Sequence, residues 1–256
     1  MIHVRNLTKF YHDLSDGRFV ALDGVSFDCM PGQIMGLVGP NGAGKTTALR
    51  ILATVLEPTS GIAQINGFDV AQQPDQVRRC LGFVSLNTAI YDRLTAWEMV
   101  HLFGRLHGMD PVRLEDRMAF LFDRFQMNDL RNTLGSKMST GMKQKVSIAR
   151  ALIHDPPVLI FDEATSGLDI LVAREVLKTI EQLRDQGKCI LFSSHIMTEV
   201  RRLCDHVAII NHGRILACGA AEELTAHYGH SHLDDVFYDV LTEDNRRFAE
   251  SVGGPA

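Results

Sequence analysis

The chain has 256 residues, of which 45% are apolar and 22% charged, a balance that excludes a disordered or fibrous polypeptide and fits one compact domain with an inserted lobe. Its formal net charge is -5, with acids and bases interspersed, so the electrostatic footprint of a nucleic-acid binder is missing and no DNA or RNA partner is expected. Five scattered cysteines, Cys29, Cys80, Cys189, Cys204 and Cys218, form no C-x-x-C pair, which argues for packed, reduced thiols and against a zinc or redox site.

Residues 1–10 carry no basic segment followed by an apolar stretch, and no apolar run approaches the ~20 residues that cross a bilayer. Any membrane role is therefore expected to come through a partner. Residues 2–10 and 19–29 read as antiparallel strands flanking a polar turn at 12–17. An apolar run then predicts a buried strand over 34–38, and helical spacing follows over 46–55.

Between that strand and that helix stands Gly39-Pro40-Asn41-Gly42-Ala43-Gly44-Lys45-Thr46, followed by Thr47, which satisfies G-x-x-x-x-G-K-[ST] in the strand-loop-helix context the motif needs. The glycines let backbone N–H groups turn inward around an anion, and the helix N-terminus adds its dipole. Lys45 is placed to reach β- and γ-phosphates, and the Thr46 hydroxyl to ligate Mg²⁺. The loop alone specifies a nucleoside triphosphate and no more, because kinases, GTPases and motor ATPases share it.

A strand over 81–84 comes next, and then strand signals vanish from about Leu94 to Ile153 in favour of helical ones: a helical lobe inserted into an α/β core. Thr95 and Glu98 form a capping box and Leu94 with Met99 a staple, so a helix is expected to start at Ala96; Asp110 before Pro111 marks another. Ser139 is a natural N-cap for a helix carrying Met142, Val146, Ala149, Leu152 and Ile153 at helical spacing, and Gly141 leaves backbone exposed in its first turn. That tip is a second anion site. One chain with two half-sites predicts that two copies close over nucleotide, the tip of one capping the phosphate held by the loop of the other.

The run over 158–161 ends abruptly in Asp162-Glu163, placing two carboxylates at the carboxyl edge of a buried strand, beside the phosphate loop. Asp162 is suited to hold Mg²⁺ and Glu163 to polarise the attacking water. A helix over 172–183 and strands over 189–193 and 207–210 complete an alternating pattern around a mainly parallel sheet. The expected division is one domain over 1–228, with the core at 1–86 and 157–228 and the lobe at 87–156, and then a short polar tail over 229–256 with loose last residues. His227, His230 and His232 read as surface residues, without the spacing or acidic partners of a metal site.

Ser139-Thr140-Gly141-Met142 followed by Gln144-Lys145 and Ala149-Arg150-Ala151-Leu152 resembles the signature S-G-G-Q and Q-[KR]-x-x-x-A-R-A-L of ABC ATPases, a likeness that extends over about 2–224. The resemblance implies a P-loop α/β fold with an N-terminal antiparallel subdomain, hydrolysis of ATP with Mg²⁺, a head-to-tail dimer of ATPase subunits, and an integral membrane permease on a separate chain at the cytoplasmic face. It further implies that Tyr11 stacks on adenine, that Asp169 in Ser166-Gly167-Leu168-Asp169 meets the second subunit, and that His195 is the switch histidine at the γ-phosphate. Taken alone, Tyr11 would be a strand-edge aromatic, Asp169 a helix cap and His195 a strand-end residue.

The sequence departs from the family where a glutamine normally follows the strand before the lobe: Leu86 stands there and can neither ligate a metal nor accept a hydrogen bond, so Ser85, Asn87 or water is expected to substitute. Thr140 and Met142 also replace the usual Gly and Gln. These departures, with residues 91–95 and 233–237, resemble the sodium-export type within the ABC-2 exporter group; a lipid or drug exporter, or a soluble non-transport ABC ATPase, is the alternative.

Overall fold

In the computed structural model the described residues are 1–12, 17–85 and 90–252. Leu86 and Asn87 therefore lie outside the described residues, as do the centre of the first polar turn and the last four residues of the tail. The amino-terminal part is an antiparallel sheet of β1 (Ile2–His12), β2 (Arg18–Cys29), β4 (Ser60–Ile65) and β5 (Phe68–Asp69) in the order β2-β1-β4-β5. Interleaved with it in sequence are β3 (Ile34–Val38), α1 (Lys45–Leu52), α2 (Pro74–Cys80) and β6 (Leu81–Ser85).

The helical segment resolves into α3 (Ala96–Leu106), α4 (Pro111–Arg124) and α5 (Thr140–Leu152). Thr95 caps α3 with the reciprocal Glu98 bonds read from the sequence, and the Asp110 carboxylate accepts from the N–H groups of Val112 and Arg113 ahead of α4. Beyond the lobe the core resumes with β7 (Val158–Asp162), α6 (Ile170–Asp185), β8 (Cys189–Ser194), α7 (Met197–Leu203), β9 (His206–Asn211), β10 (Arg214–Ala220), α8 (Ala221–Tyr228) and α9 (Leu233–Val252).

The second sheet runs β10-β9-β3-β8-β7-β6, parallel throughout except for the antiparallel β10 at one edge. Every residue of β3, β7 and β8 is buried, which is why these strands read as continuous apolar runs in place of alternating ones. Alternation decides which of two cores each residue joins. Met35, Leu37, Ile160, Leu191 and Ala208 face the antiparallel sheet and α1, while Ile34, Val38, Phe161, Phe192 and Val207 face the helices of the lobe and α6 to α9.

The tail differs from its expected form. Leu233, Val236 and Val240 recur on one face of α9 and are buried against the main core, so this segment packs as a helix. Among the thiols, Cys29, Cys189 and Cys204 are buried, whereas Cys218 is exposed on the edge strand β10 and departs from the expectation of packed cysteines. No helix among the described residues is long and apolar enough to cross a membrane.

Candidate nucleotide-hydrolysis site

Three parallel strands deliver the chemistry to one edge. Because β8 lies between β3 and β7, the loop after β3, the turn after β8 and the turn after β7 emerge side by side at the carboxyl ends. The loop after β3 requires glycine at two places for different reasons. A Cβ on Gly39 would lie 2.1 Å from the Ile210 carbonyl of β9, and Gly44 has φ 107° and would meet the Ala21 carbonyl at 2.6 Å. The loop is thereby seated against β9 and β2, and its last glycine hands directly to the first turn of α1, where Lys45 is buried and Thr46 exposed.

The Lys45 ammonium donates to the carbonyls of Gly39 at 2.7 Å and Pro40 at 3.0 Å. Burial lowers its pKa from the usual lysine value, against the opposing pull of Glu163 and Asp162. Glu163 Oε1 lies 3.8 Å from Lys45 Nζ and 3.5 Å from His195 Nδ1. The carboxylate thus sits between the lysine of the first strand's loop and the histidine of the middle strand's turn.

Glu163 itself has φ 49°, left-handed for a non-glycine, a conformation held by two bonds from its N–H: to the Ser193 carbonyl at 3.2 Å and the Ser193 hydroxyl at 3.1 Å. The same hydroxyl donates to Asp162 Oδ1 at 2.8 Å. Burial pushes the Asp162 carboxyl above its usual range, and the Ser193 hydroxyl bond opposes that. Asn41 to Thr47 and Glu163 line a pocket of about 220 Å³ whose far wall is Phe19 and Ala21 of β2.

A family model described as "ABC transporter" matches residues 22–166, more than half of the chain. The chain belongs to the ABC transporter family. It is 43% identical over 224 residues to the ABC transporter ATP-binding protein NatA of Bacillus subtilis (strain 168), a match that covers 87% of this chain and 90% of that protein. It is 34% identical over 224 residues to the Nod factor export ATP-binding protein I of Cupriavidus metallidurans, covering 88% and 72% respectively. Among solved structures, one titled as the ATP binding subunit of an ABC transporter superposes with a TM-score of 0.85 at 29% identity, over 94% of this chain and 99% of that one. The protein is the ATP-binding, ATP-hydrolysing subunit of an ABC transporter, on an α/β cassette.

The remaining residues singled out in this ABC subunit occupy other places. Ser139 caps α5, its hydroxyl accepting from the Met142 N–H at 3.3 Å, and the Met142 sulfur accepts from the Ser139 N–H at 3.3 Å. Methionine thus completes a capping box in which glutamate or glutamine is usual. A Cβ on Gly141 would come within 3.2 Å of Val172 on α6, so this glycine also permits close helix packing. Asp169 caps α6 through the Leu171 N–H at 2.9 Å, beside Ile170 and Leu171, which are 81% and 69% exposed. Ser139, Gly141 and Asp169 do not line the pocket that holds Lys45 and Glu163.

Tyr11 pairs across the sheet with Phe19, both exposed on one face, and Phe19 is the member of the pair that lines the pocket. Neither Phe19 nor Ser193 stood out in the sequence. The first becomes visible only through the β1–β2 register, the second only once β8 is known to lie against β7. Of His227, His230 and His232, His230 pairs with one carboxylate, Asp239, at 2.7 Å. Among the described residues no group of three His, Cys, Asp or Glu side chains could hold a metal ion.

Proposed function

We propose that this subunit binds MgATP at residues 39–47, hydrolyses it with Glu163 as general base and His195 at the γ-phosphate, and drives an exporter of the ABC-2 type as a head-to-tail dimer on a separate permease. The observation that carries this reading is the convergence of Lys45 Nζ and His195 Nδ1 on a single carboxylate oxygen, Glu163 Oε1. A carboxylate so placed can take a proton from water while the Lys45 ammonium and a hydrogen bond from the His195 ring draw charge off the departing phosphate.

Asp162 and Thr46 fit Mg²⁺. Both offer hard oxygen atoms, and a buried carboxylate raised in pKa gains from a neighbouring cation. One carboxylate and one hydroxyl make a sparse donor set, which suits an ion that keeps waters and takes its other ligands from phosphates. Held by these residues, the ion would supply neutralisation of phosphate charge. Ser193 fixes the Asp162 carboxylate through its hydroxyl bond, and the loop N–H groups would hold phosphate oxygens.

The exposed Ile170 and Leu171 beside Asp169, and a Ser139 helix tip outside its own chain's pocket, support pairing with a second copy across the nucleotide. Tyr11 and Phe19 offer the base an aromatic wall. The assembly belongs at the cytoplasmic face of the membrane that holds the permease. The similarity to a Nod factor export protein supports outward transport, and sodium is the first cargo to assay, by efflux from vesicles containing the assembled transporter. Glu163→Gln keeps the side chain's shape while removing the base, so ATP turnover is expected to fall by at least about a hundredfold with nucleotide still bound. An unchanged hydrolysis rate in that variant would refute the assignment.

A further inference from the structure

A buried carboxylate that the hydrolytic chemistry does not use lies behind the site. Glu199, on α7, is only 9% exposed. Its Oε2 accepts from the Thr165 hydroxyl at 2.8 Å and from the Ser194 hydroxyl at 3.0 Å. Thr165 stands two residues after Glu163, and Ser194 immediately before His195. The Ser194 oxygen in turn accepts from the Ile196 N–H at 3.0 Å, so the bonds bracket His195 on both sides.

Strand alternation accounts for the arrangement. At the end of β8, Ser193 turns toward Asp162 and Glu163, and Ser194 turns to the opposite face, where Glu199 waits. One carboxylate oxygen therefore joins the turn that carries the general base to the turn that carries the switch histidine. Gln144 of α5 reaches the same first turn from the lobe, donating to the Ala164 carbonyl at 2.8 Å. A buried acid is costly unless hydrogen-bonded, and an apolar side chain would fill the space between α7 and the turns without that cost. The acceptor oxygen is what an apolar residue lacks.

We propose that Glu199 is a positioning residue for hydrolysis: through Thr165 and Ser194 it sets the separation of Glu163 from His195. This rests on the reading that those two groups carry the chemistry. Binding of nucleotide depends on the loop at 39–47, which Glu199 does not touch, so the effect falls on turnover and spares affinity.

Steady-state hydrolysis and nucleotide titration of the full chain test it, with Glu163→Gln and His195→Ala measured alongside. Glu199→Ala is expected to lower kcat by about tenfold to a hundredfold, as a displaced catalytic group does, with KM for ATP unchanged. Glu199→Gln keeps an oxygen that both hydroxyls can reach and is expected to restore most of the rate. If Glu199→Ala fails to fold, Thr165→Val and Ser194→Ala carry the test, since two legs of one clamp predict non-additive losses in kcat when combined.

A wild-type kcat in Glu199→Ala, a loss confined to KM, a Glu199→Gln variant as slow as Glu199→Ala, or additive losses in the hydroxyl pair would each overturn the proposal. If Glu163→Gln and His195→Ala also turned over normally, the reading of the site itself would fall. An inactive Glu163→Gln beside a normal Glu199→Ala would reject only the role of Glu199.

Discussion

His154 shows how a single ring sets acid stability at the junction of lobe and core. It stacks on His107 with centroids 3.6 Å apart and donates from Nε2 to the Leu81 carbonyl at 3.2 Å, with the charges of Asp155 and Lys188 nearby. Burial, reinforced by His107, pushes its pKa down from 6.5 to about 4. As pH falls the unfolded chain takes up this proton first, so the stability contributed is complete above pH 6.5 and is lost between there and about pH 4. Between neutrality and pH 5 this one group accounts for about 2 kcal/mol. Urea unfolding at the two pH values is expected to show a shallower pH dependence in His154→Phe than in wild type; identical slopes would dismiss the role of this ring. At the site, Lys45→Ala removes a buried cation from the phosphate loop. Charge-assisted phosphate contacts of about 1.5 to 3 kcal/mol imply ATP affinity weaker by about ten- to a hundredfold, and a calorimetric titration matching wild type would take the lysine out of the account.

At the scale of elements, helix termini and strand alternation carry most of what is legible. The start of α3 at Ala96 follows from Thr95 and Glu98, and the cap bonds are present in both directions. Thr95→Ala is expected to cost about 1 kcal/mol and to lower Tm by about 2–4 °C, with hydrolysis intact; an unshifted melting curve would show that the lobe does not depend on this cap. Buried parallel strands were readable because they are apolar at every position, as 34–38 illustrates. Helix α1 begins one residue earlier than its spacing suggests because Gly44 serves as N-cap, and it ends at Leu52 because Thr54 turns left-handed. The elements that escaped reading are those whose burial is decided at a distance. In β4 the first three residues are exposed and the apolar signal is diluted. In α9 the buried Leu233, Val236 and Val240 are separated by acids that made the segment look like a solvated tail.

At the scale of the molecule, sequence motifs named the chemistry while topology arranged it. The phosphate loop and the acidic pair were legible as motifs, but their joint position depends on β8 lying between β3 and β7, which no local pattern states. The same strand order brings His195 to Glu163 and leaves Ser139 on a helix tip outside that pocket. Closure of two copies is the event that would join the halves, and a decisive switch of this kind needs about 5 kcal/mol of preference for the closed form, within reach of several phosphate contacts per site. Sedimentation of Glu163→Gln with MgATP, with and without the added substitution Ser139→Glu, tests this most directly. The account predicts a dimer that forms only with ATP and is lost when the helix tip carries a negative charge. A chain that stays monomeric with ATP, or dimers indifferent to Ser139, would contradict it.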